Sequence, residues 1–321
     1  MEGKPLVTII LTSFNQKQYI KDALESVRTQ DYPNIELIIV DNGSADTTPL
    51  IIQDWIAKHK LDFPIRTIFR EESLSYCKSF NDAFSMAKGK YLIDLSGDDI
   101  LTSDHIRLAV IKLQDFLGSA CCFSDVLLID EKGNEKTFYK RSLKGKLKQK
   151  IRVGDLYRDL VRKYVVPSVS LVFDADLFRK EGGYDEELAY EDFDIMVRLA
   201  RKYTFVFSNH IGVKKRIHSK SFAASQYRSR NSVMLPSTLK VCQKIKSMNR
   251  SPKENKALLQ RVMFETKHAL WSANFNVAEG FLALAEELNA SGKTFLWYKK
   301  WCKSRWDFSS LYSVLKKINP Q

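Results

Sequence analysis

Tyr91-Leu92-Ile93-Asp94-Leu95-Ser96-Gly97-Asp98-Asp99 is the stretch whose reading decides the fold. Tyr91–Leu95 is a short, mostly apolar run, which suits a buried strand and is too brief for a helix. Ser96-Gly97 breaks it, and two adjacent carboxylates, Asp98 and Asp99, follow at once. The same order occurs twice upstream. Leu6–Leu11 is a continuous β-prone run that enters Thr12-Ser13-Phe14-Asn15, and Ile35–Val40 is another that ends at Asp41-Asn42-Gly43-Ser44. Helical signals separate these strands. Gln16–Val27 carries Ile20, Ala23, Leu24 and Val27 at helical spacing; a helix from about Thr48 to Lys58 and a weaker strand, Ile65–Phe69, come next. Phe80–Ala87 reads as helix, with Gly89 as its stop. This βαβα alternation predicts an α/β fold with a mostly parallel, doubly wound sheet flanked by helices.

Downstream, Cys121–Ile129 reads as a strand that turns at Glu131-Lys132-Gly133-Asn134. Lys136–Arg152 has little periodicity and reads as a mobile loop. Ser168–Phe173 reads as a strand, and Glu191–Tyr203 as an amphipathic helix with Ile195, Val197 and Leu199 among its apolar positions. After about residue 228 only helical patterns remain, including Lys253–Trp271 and Val277–Leu288, with Asn276 and Glu279 as a cap for the latter. The expected division is a domain over 1–228 and a helical C-terminal extension over 229–321.

Composition sets the outer limits. The chain has 321 residues, 44% hydrophobic and 28% charged, which is enough apolar material for a sizeable core and argues against wholesale disorder. No run of 18 apolar residues is present, and the first apolar run is too short for a signal peptide, so a cytoplasmic protein is expected. Five cysteines, with no Cys-x-x-Cys pair or metal-ligand spacing, read as reduced thiols, Cys121 and Cys122 among them as core packing. The net charge of +13 is unevenly placed. Lys136–Arg152 holds 8 Lys/Arg and no acid, and Pro236–Gln321 holds 15 Lys/Arg against 6 Asp/Glu. Such patches favour phosphate-bearing partners.

Ligands of open α/β sheets bind beyond the carboxyl ends of the strands. Here those ends present Thr12, Phe14 and Asn15, then Asp41, then Asp98 and Asp99. Carboxylates gathered in one cleft raise one another's pKa unless a cation or a hydrogen-bonding ligand joins them. Neither Gly-x-Gly-x-x-Gly after the first strand nor Gly-x-x-x-x-Gly-Lys-Ser/Thr is present, so phosphates need another device. Adjacent aspartates holding Mg²⁺ or Mn²⁺ across two phosphates would serve.

At this point the chain resembles glycosyltransferase family 2, of the GT-A fold. The matching residues are Val7–Asn15, Ile38–Thr48, Asn81, Gly89-Lys90-Tyr91 with Leu95–Asp99, Glu191-Asp192 opening a helix, and Arg216-Ile217-His218. The resemblance covers roughly residues 5 to 222, and its specificity lies in the ordered set. It implies an inverting transferase that moves a hexose or N-acetylhexosamine from a nucleotide-diphosphate sugar, a UDP-sugar for choice, to a hydroxyl of a glycan or lipid-linked acceptor in surface polysaccharide synthesis. It implies that Thr12, Phe14 and Asp41 hold the base, with Asn15 and Asn81 in the donor site, and that Asp98 contacts the ribose or sugar. Asp99 would bind the metal on the diphosphate, with His218 as a metal or diphosphate contact. Asp192 would be the general base, with Glu191 the alternative carboxylate. The family often has Asp where Ser96 stands and Arg where Phe80 stands, which leaves one phosphate or sugar contact unassigned.

Plainer readings stand beside these. Asp98-Asp99 could cap a helix starting near Ser103. Asp41-Asn42-Gly43 is a good turn by itself, and Glu191-Asp192 suits the first turn of any helix. His218 beside Lys214, Lys215 and Arg216 could be a surface residue. Lys136–Arg152 reads either as a solvated loop or as a loop closing over a phosphorylated or lipid-linked acceptor. Phe295–Trp301, continuing to Trp306, reads as a helix on an anionic membrane at the inner face of the plasma membrane, as a helix packed on the catalytic domain, or as a homo-oligomer contact. A nucleotidyltransferase would need a Gly-rich basic loop where Thr12–Asn15 stands. A nucleic-acid-binding module fits the charge, but the carboxylate edge would repel a phosphate backbone, so no nucleic acid is expected.

Overall fold

Strands buried on both faces read as near-continuous apolar runs, and Val7–Ser13 (β1) and Ile35–Asp41 (β2) are buried throughout, their buried Thr8 and Glu36 bonding each other. The computed structural model describes residues 3–142, 144–219 and 221–318. Parallel to β1 and β2 lie Ile65–Phe69 (β3) and Tyr91–Ser96 (β4), in the order β3-β2-β1-β4. The helices between them are Ile20–Arg28 (α1), Thr48–Lys58 (α2) and Tyr76–Phe84 (α3).

Beyond β4 the sheet becomes mixed. Its remaining members are Ile100–Leu101 (β5), Ser119–Asp130 (β6), Glu135–Thr137 (β7), Val172–Asp174 (β8) and Thr204–Ile217 (β9). The order continues β8-β6-β9-β5, with β7 on β6; β6 and β9 run parallel, and β8 is antiparallel to both of its neighbours. His105–Asp115 (α4) covers this half, and Ala175–Lys180 (α6) follows β8. The α/β expectation therefore holds, while the mostly parallel sheet expected is corrected to a mixed one, parallel over β3-β2-β1-β4 and largely antiparallel beyond it.

Several local expectations are corrected. The first helix starts at Ile20, because residues 16–19 form a turn closed by Gln16 O. The third runs Tyr76–Phe84 because Ser75 caps it, its hydroxyl accepting from Lys78 N–H. Gly89 is not a helix stop: a Cβ there would lie 2.5 Å from Thr8 N, so glycine permits the close approach to β1. Ser168–Phe173 divides into a 3-10 turn, Ser168–Ser170, and β8.

The basic segment is not featureless either. Asp125 is fully buried on β6, and Arg141 answers its charge at 2.5 Å while also donating to Gly145 O and Asn209 Oδ1. That requirement ties the segment down, and a hairpin closed by Ser142 N to Lys146 O and Lys148 N to Lys140 O projects its lysines into solvent. Leu143, within it, lies outside the described residues.

His105, also fully buried, stands with Nδ1 3.2 Å from His210 Nε2. Burial, and then His210, push its pKa down to about 3. A histidine depressed in the folded state adds stability above its unfolded pKa, and that stability is lost as pH falls below it. We expect His105 to account for a loss on the order of 1.5 kcal/mol between pH 6.5 and 5. Thermal melting across that range should show a shallower slope for His105→Gln than for wild type.

The chain forms two compact units: Met1–Leu156 with Val166–Glu186 and Arg198–His218, and Tyr157–Val165 with Glu187–Val197 and Ser219–Gln321. The division is thus interleaved, where the sequence suggests a single cut at 228. The boundary falls inside Asp192–Ala200 (α7), which ends three residues before the expected Tyr203.

The second unit is helical: Tyr157–Arg162 (α5), Met234–Met248 (α8), Pro252–Trp271 (α9), Phe275–Glu287 (α10), Lys293–Ser304 (α11) and Ser309–Ile318 (α12). Leu258 and Val262 of α9 and Phe281 and Ala285 of α10 share its core with Val241 and Ile245 of α8. The cap expected at Asn276 is corrected to Asn274. Burying Phe275 together with Ala278, Phe281 and Leu282 starts the helix earlier and leaves Asn276 outside, where Arg305 donates to it.

Candidate active site

Parallel registry aligns the strand ends of the first unit. Ser13 pairs with Asp41 across β1 and β2, and Thr12 with Ser96 across β1 and β4. Phe14, just past β1, leaves its ring 49% exposed at this edge. Asn15 takes a left-handed φ of 54° and knits β1 to the next turn: its Oδ1 accepts from Ala45 N–H, and its own N–H donates to Ser44 Oγ. Asp41 is buried and accepts from Ser44 N–H at 2.9 Å and from the hydroxyls of Ser44 and Ser13. Gly43 has φ 78°, and a Cβ there would meet Glu72 and Ser73 backbone at 2.7 Å. The Asp41-Asn42-Gly43 turn is therefore both a tight turn and part of the edge.

Asp98 and Asp99 lie together in the turn after β4, and Asp99 is only 3% exposed. They do not cap α4, whose cap position is Asp104. The end of β9 holds them instead, because β9 pairs with β5 immediately after the turn. Arg216 donates its N–H to Asp99 Oδ1 at 3.1 Å and Nη1–H to Asp98 O at 2.9 Å. Its guanidinium also pairs with Asp22 and lies 5.0 Å from the Tyr19 ring centroid. Tyr19 stacks on His218 at 5.2 Å, and His218 Nε2 lies 3.0 Å from Asp98 Oδ2. His218 is thus no stray surface residue. Tyr19 and Asp22 carried no sequence signal, since both sit on the first helical segment with ordinary spacing. Arg216 was visible only as the neighbour of His218.

Burial, and next the charge of Asp98, push the Asp99 carboxyl up to about 7. Thr12 Oγ1, at the same edge, is buried with no hydrogen-bond partner among the described residues. An ionised carboxylate so placed is costly unless a cation joins it, and hard oxygen donors suit Mg²⁺ or Mn²⁺. The donor set therefore fits such an ion. Among the described residues no three His, Cys, Asp or Glu side chains already converge as a cage.

Asn81 is engaged within the first unit. Its amide donates to Tyr184 O at 2.8 Å and to Glu186, and its Oδ1 accepts from Tyr184 N–H, so it clamps residues 184–186 to α3. Phe80 is fully buried in a ring cluster with Phe84, Phe178 and Tyr184. A core ring thus fills the place where the resemblance leads one to look for arginine.

Glu191 and Asp192 belong to the second unit, both half-buried, with Asp192 opening α7. The C-terminal helices grip their flanks. Ala189 N–H donates to Ser237 Oγ at 2.8 Å, and the hydroxyls of Tyr190 and Thr238 bond at 2.8 Å. Lys244 Nζ meets the buried Asp194 at 2.9 Å, and Arg261 of α9 lies 4.9 Å from the Phe193 ring centroid. Helices α8 and α9 therefore frame the segment that carries the two carboxylates.

A family model described as Glycosyl transferase family 2 matches residues 8–173, just over half of the chain. The chain belongs to glycosyltransferase family 2. Among curated relatives of this family 2 chain, an uncharacterized glycosyltransferase of Rickettsia typhi is 28% identical over 219 residues, which is 67% of this chain and 64% of that one. The putative teichuronic acid biosynthesis glycosyltransferase TuaG of Bacillus subtilis is 35% identical over 121 residues, 38% of this chain and 46% of that one. The matched stretches thus span less than two thirds of these relatives' own length. Among solved structures, S. aureus TarS 1-349 in complex with UDP-GlcNAc superposes with a TM-score of 0.71 at 13% identity, covering 97% of this chain and 91% of that one. The mannosyltransferase PcManGT of Pyrobaculum calidifontis, in complex with GDP-Man and Mn²⁺, gives 0.60 at 16%, covering 100% and 89%. The fold of this family 2 chain is accordingly the GT-A fold with C-terminal helices.

Proposed function

We propose that this chain transfers a hexose or N-acetylhexosamine from a UDP-sugar to a hydroxyl of a glycan or lipid-linked acceptor in surface polysaccharide synthesis, with inversion at the anomeric carbon. The observation that carries the reading is the strand-end cluster of buried Asp98 and Asp99 beneath Arg216 and His218, with the exposed Phe14 ring and buried Asp41 along the same edge. The UDP-GlcNAc in the TarS complex and the teichuronic acid in the TuaG description support the donor and acceptor classes. The Mn²⁺ in the PcManGT complex supports the ion.

In this reading Thr12, Phe14 and Asp41 bind the base, Phe14 by stacking, while Asn15 and Asn81 shape the donor edge. Asp98 takes the ribose or sugar. Asp99 and His218 would hold Mn²⁺ or Mg²⁺, which when bound would neutralise charge gathering on the departing diphosphate. The acceptor oxygen bonds to the anomeric carbon as the bond to the diphosphate oxygen breaks, and Asp192 takes the acceptor proton, with Glu191 as the alternative base.

The test is a transfer assay over a panel of UDP-, GDP-, dTDP- and CMP-sugars, scored by nucleotide release. Asp192→Asn should keep wild-type UDP affinity by calorimetry while turnover falls by about 10²- to 10⁴-fold, the usual weight of a general base. No nucleotide release from any donor would overturn the transferase reading, and an active Asp192→Asn would move the base role to Glu191.

A further inference from the structure

Helices α11 and α12 of the second unit each have two differently used sides. On α11, Phe295 and Trp301 are 5% and 4% exposed and face the core, where Trp301 packs edge-on to Trp271 of α9. Away from that side stands Leu296, 64% exposed, and at its margin, one turn before Trp301, Trp297, 47% exposed. At 100° per residue, Lys293, Lys300 and Lys303 share that outward arc with them. These three lysines make no ion pair among the described residues, whereas Lys299 and Arg305 are engaged by Glu286 and Glu279.

The apolar surface continues past α11. Trp306 lies 5.6 Å from Trp297, ring centroid to centroid, and on α12 Leu311, Val314 and Leu315 stand exposed at i, i+3 and i+4. Buried Tyr312 and Ser309 anchor the other side of α12. A stripe of leucine, valine and tryptophan left in water is costly, and a packed helix would turn it inward if the core could take it. The segment Lys293–Ile318 carries 7 Lys/Arg against one acid, Asp307, which Arg230 already pairs. Tryptophan at the margin, aliphatic residues along the stripe and lysines on the same arc are what an acyl–headgroup boundary of negative charge accommodates. No helix among the described residues is long and apolar enough to cross a membrane, so the contact would be peripheral.

We propose that the outward face of α11 and α12 docks on an anionic lipid bilayer, with Leu296, Trp297, Leu311 and Val314 entering the acyl boundary and Lys293, Lys300 and Lys303 meeting the headgroups. Of the three readings open from sequence, packing is met by the inner side of α11, on α9 of the second unit, and the lipid contact is assigned to the outer side. The proposal is independent of the donor and of the reaction.

The test is co-sedimentation of the full chain with phosphatidylcholine vesicles, with and without phosphatidylglycerol, at physiological salt. Wild type should pellet with the anionic vesicles only, and its tryptophan emission should shift to the blue. Leu311→Asp should lower binding by about tenfold or more through the lost apolar contact. Lys293→Gln, Lys300→Gln and Lys303→Gln together should do so by about tenfold through lost charge. Both variants should melt like wild type, because the changed side chains face outward. Absence of wild-type binding, or binding indifferent to both variants, would overturn the proposal. So would a dimer in sedimentation velocity that Leu311→Asp dissociates while no vesicle is bound, since the occupant would then be a second copy.

Discussion

Asp99→Ala is expected to abolish metal-supported UDP binding and to lower transfer by about 10³-fold or more, while the protein melts at an unchanged or higher temperature. The first half follows from charge. Removing a carboxylate that holds an ion against a leaving diphosphate removes an interaction that grows in the transition state, and single electrostatic groups of this kind are worth on the order of 3–4 kcal/mol. The second half follows from burial. Asp99 is almost inaccessible, its carboxyl pushed up to about 7 by desolvation and then by Asp98, so stability is lost as pH rises from the ordinary carboxylate range through that value. Alanine removes that loss and gives up one hydrogen bond, from Arg216 N–H. A merely structural aspartate would behave the other way, with stability falling and nucleotide affinity following it. Calorimetric titration of UDP with and without Mn²⁺, beside thermal melts of both proteins, separates the two. Retained metal-dependent binding in Asp99→Ala would end the assignment.

Phe80→Ala is expected to destabilise the first unit by about 3–5 kcal/mol, the range for truncating a fully buried phenylalanine. Its ring lies 4.5 Å from that of Tyr184 and 6.0 Å from that of Phe178, centroid to centroid, and α6 rests on β8 through the same cluster. Contraction around the lost ring is limited, because Tyr184 is held by its hydroxyl to Asp94 at 2.8 Å and by its backbone to Asn81. The cavity therefore persists and the full penalty is expected. A thermal scan should show the melting transition lowered by on the order of 10 °C. A shift of only a degree or two would mean that the cluster collapses freely and that Phe80 has no special packing role. Phe80→Arg, which restores the residue the family often carries, should do worse. It would place a charge at a fully buried position among the rings of Phe84, Phe178 and Tyr184.

Much of the donor edge was legible from local sequence, for physical reasons that can be named. A parallel strand covered on both faces is a short run of mostly apolar, β-prone residues, so β1, β2 and β4 are legible locally, and the polar clusters where each run stops read as strand ends. Other features depended on which distant segment arrives. Arg216 reaches Asp98 and Asp99 only because β9 pairs with β5, over more than 110 intervening positions. Arg141 looked like one of eight loop cations until Asp125 was found buried beside it. The bonds from Asn81 to Tyr184 likewise join segments more than 100 positions apart and leave no local signal.

The sequence by itself determined the α/β class, the strand ends and the residue types gathered there, because hydrophobic periodicity and turn chemistry act over a few residues. Only the tertiary structure decided which charges meet, which side of α11 is left outward, and that Glu187–Val197 joins the C-terminal helices. Those choices follow from strand registry and from the burial of charge, and both are settled between segments far apart in the chain.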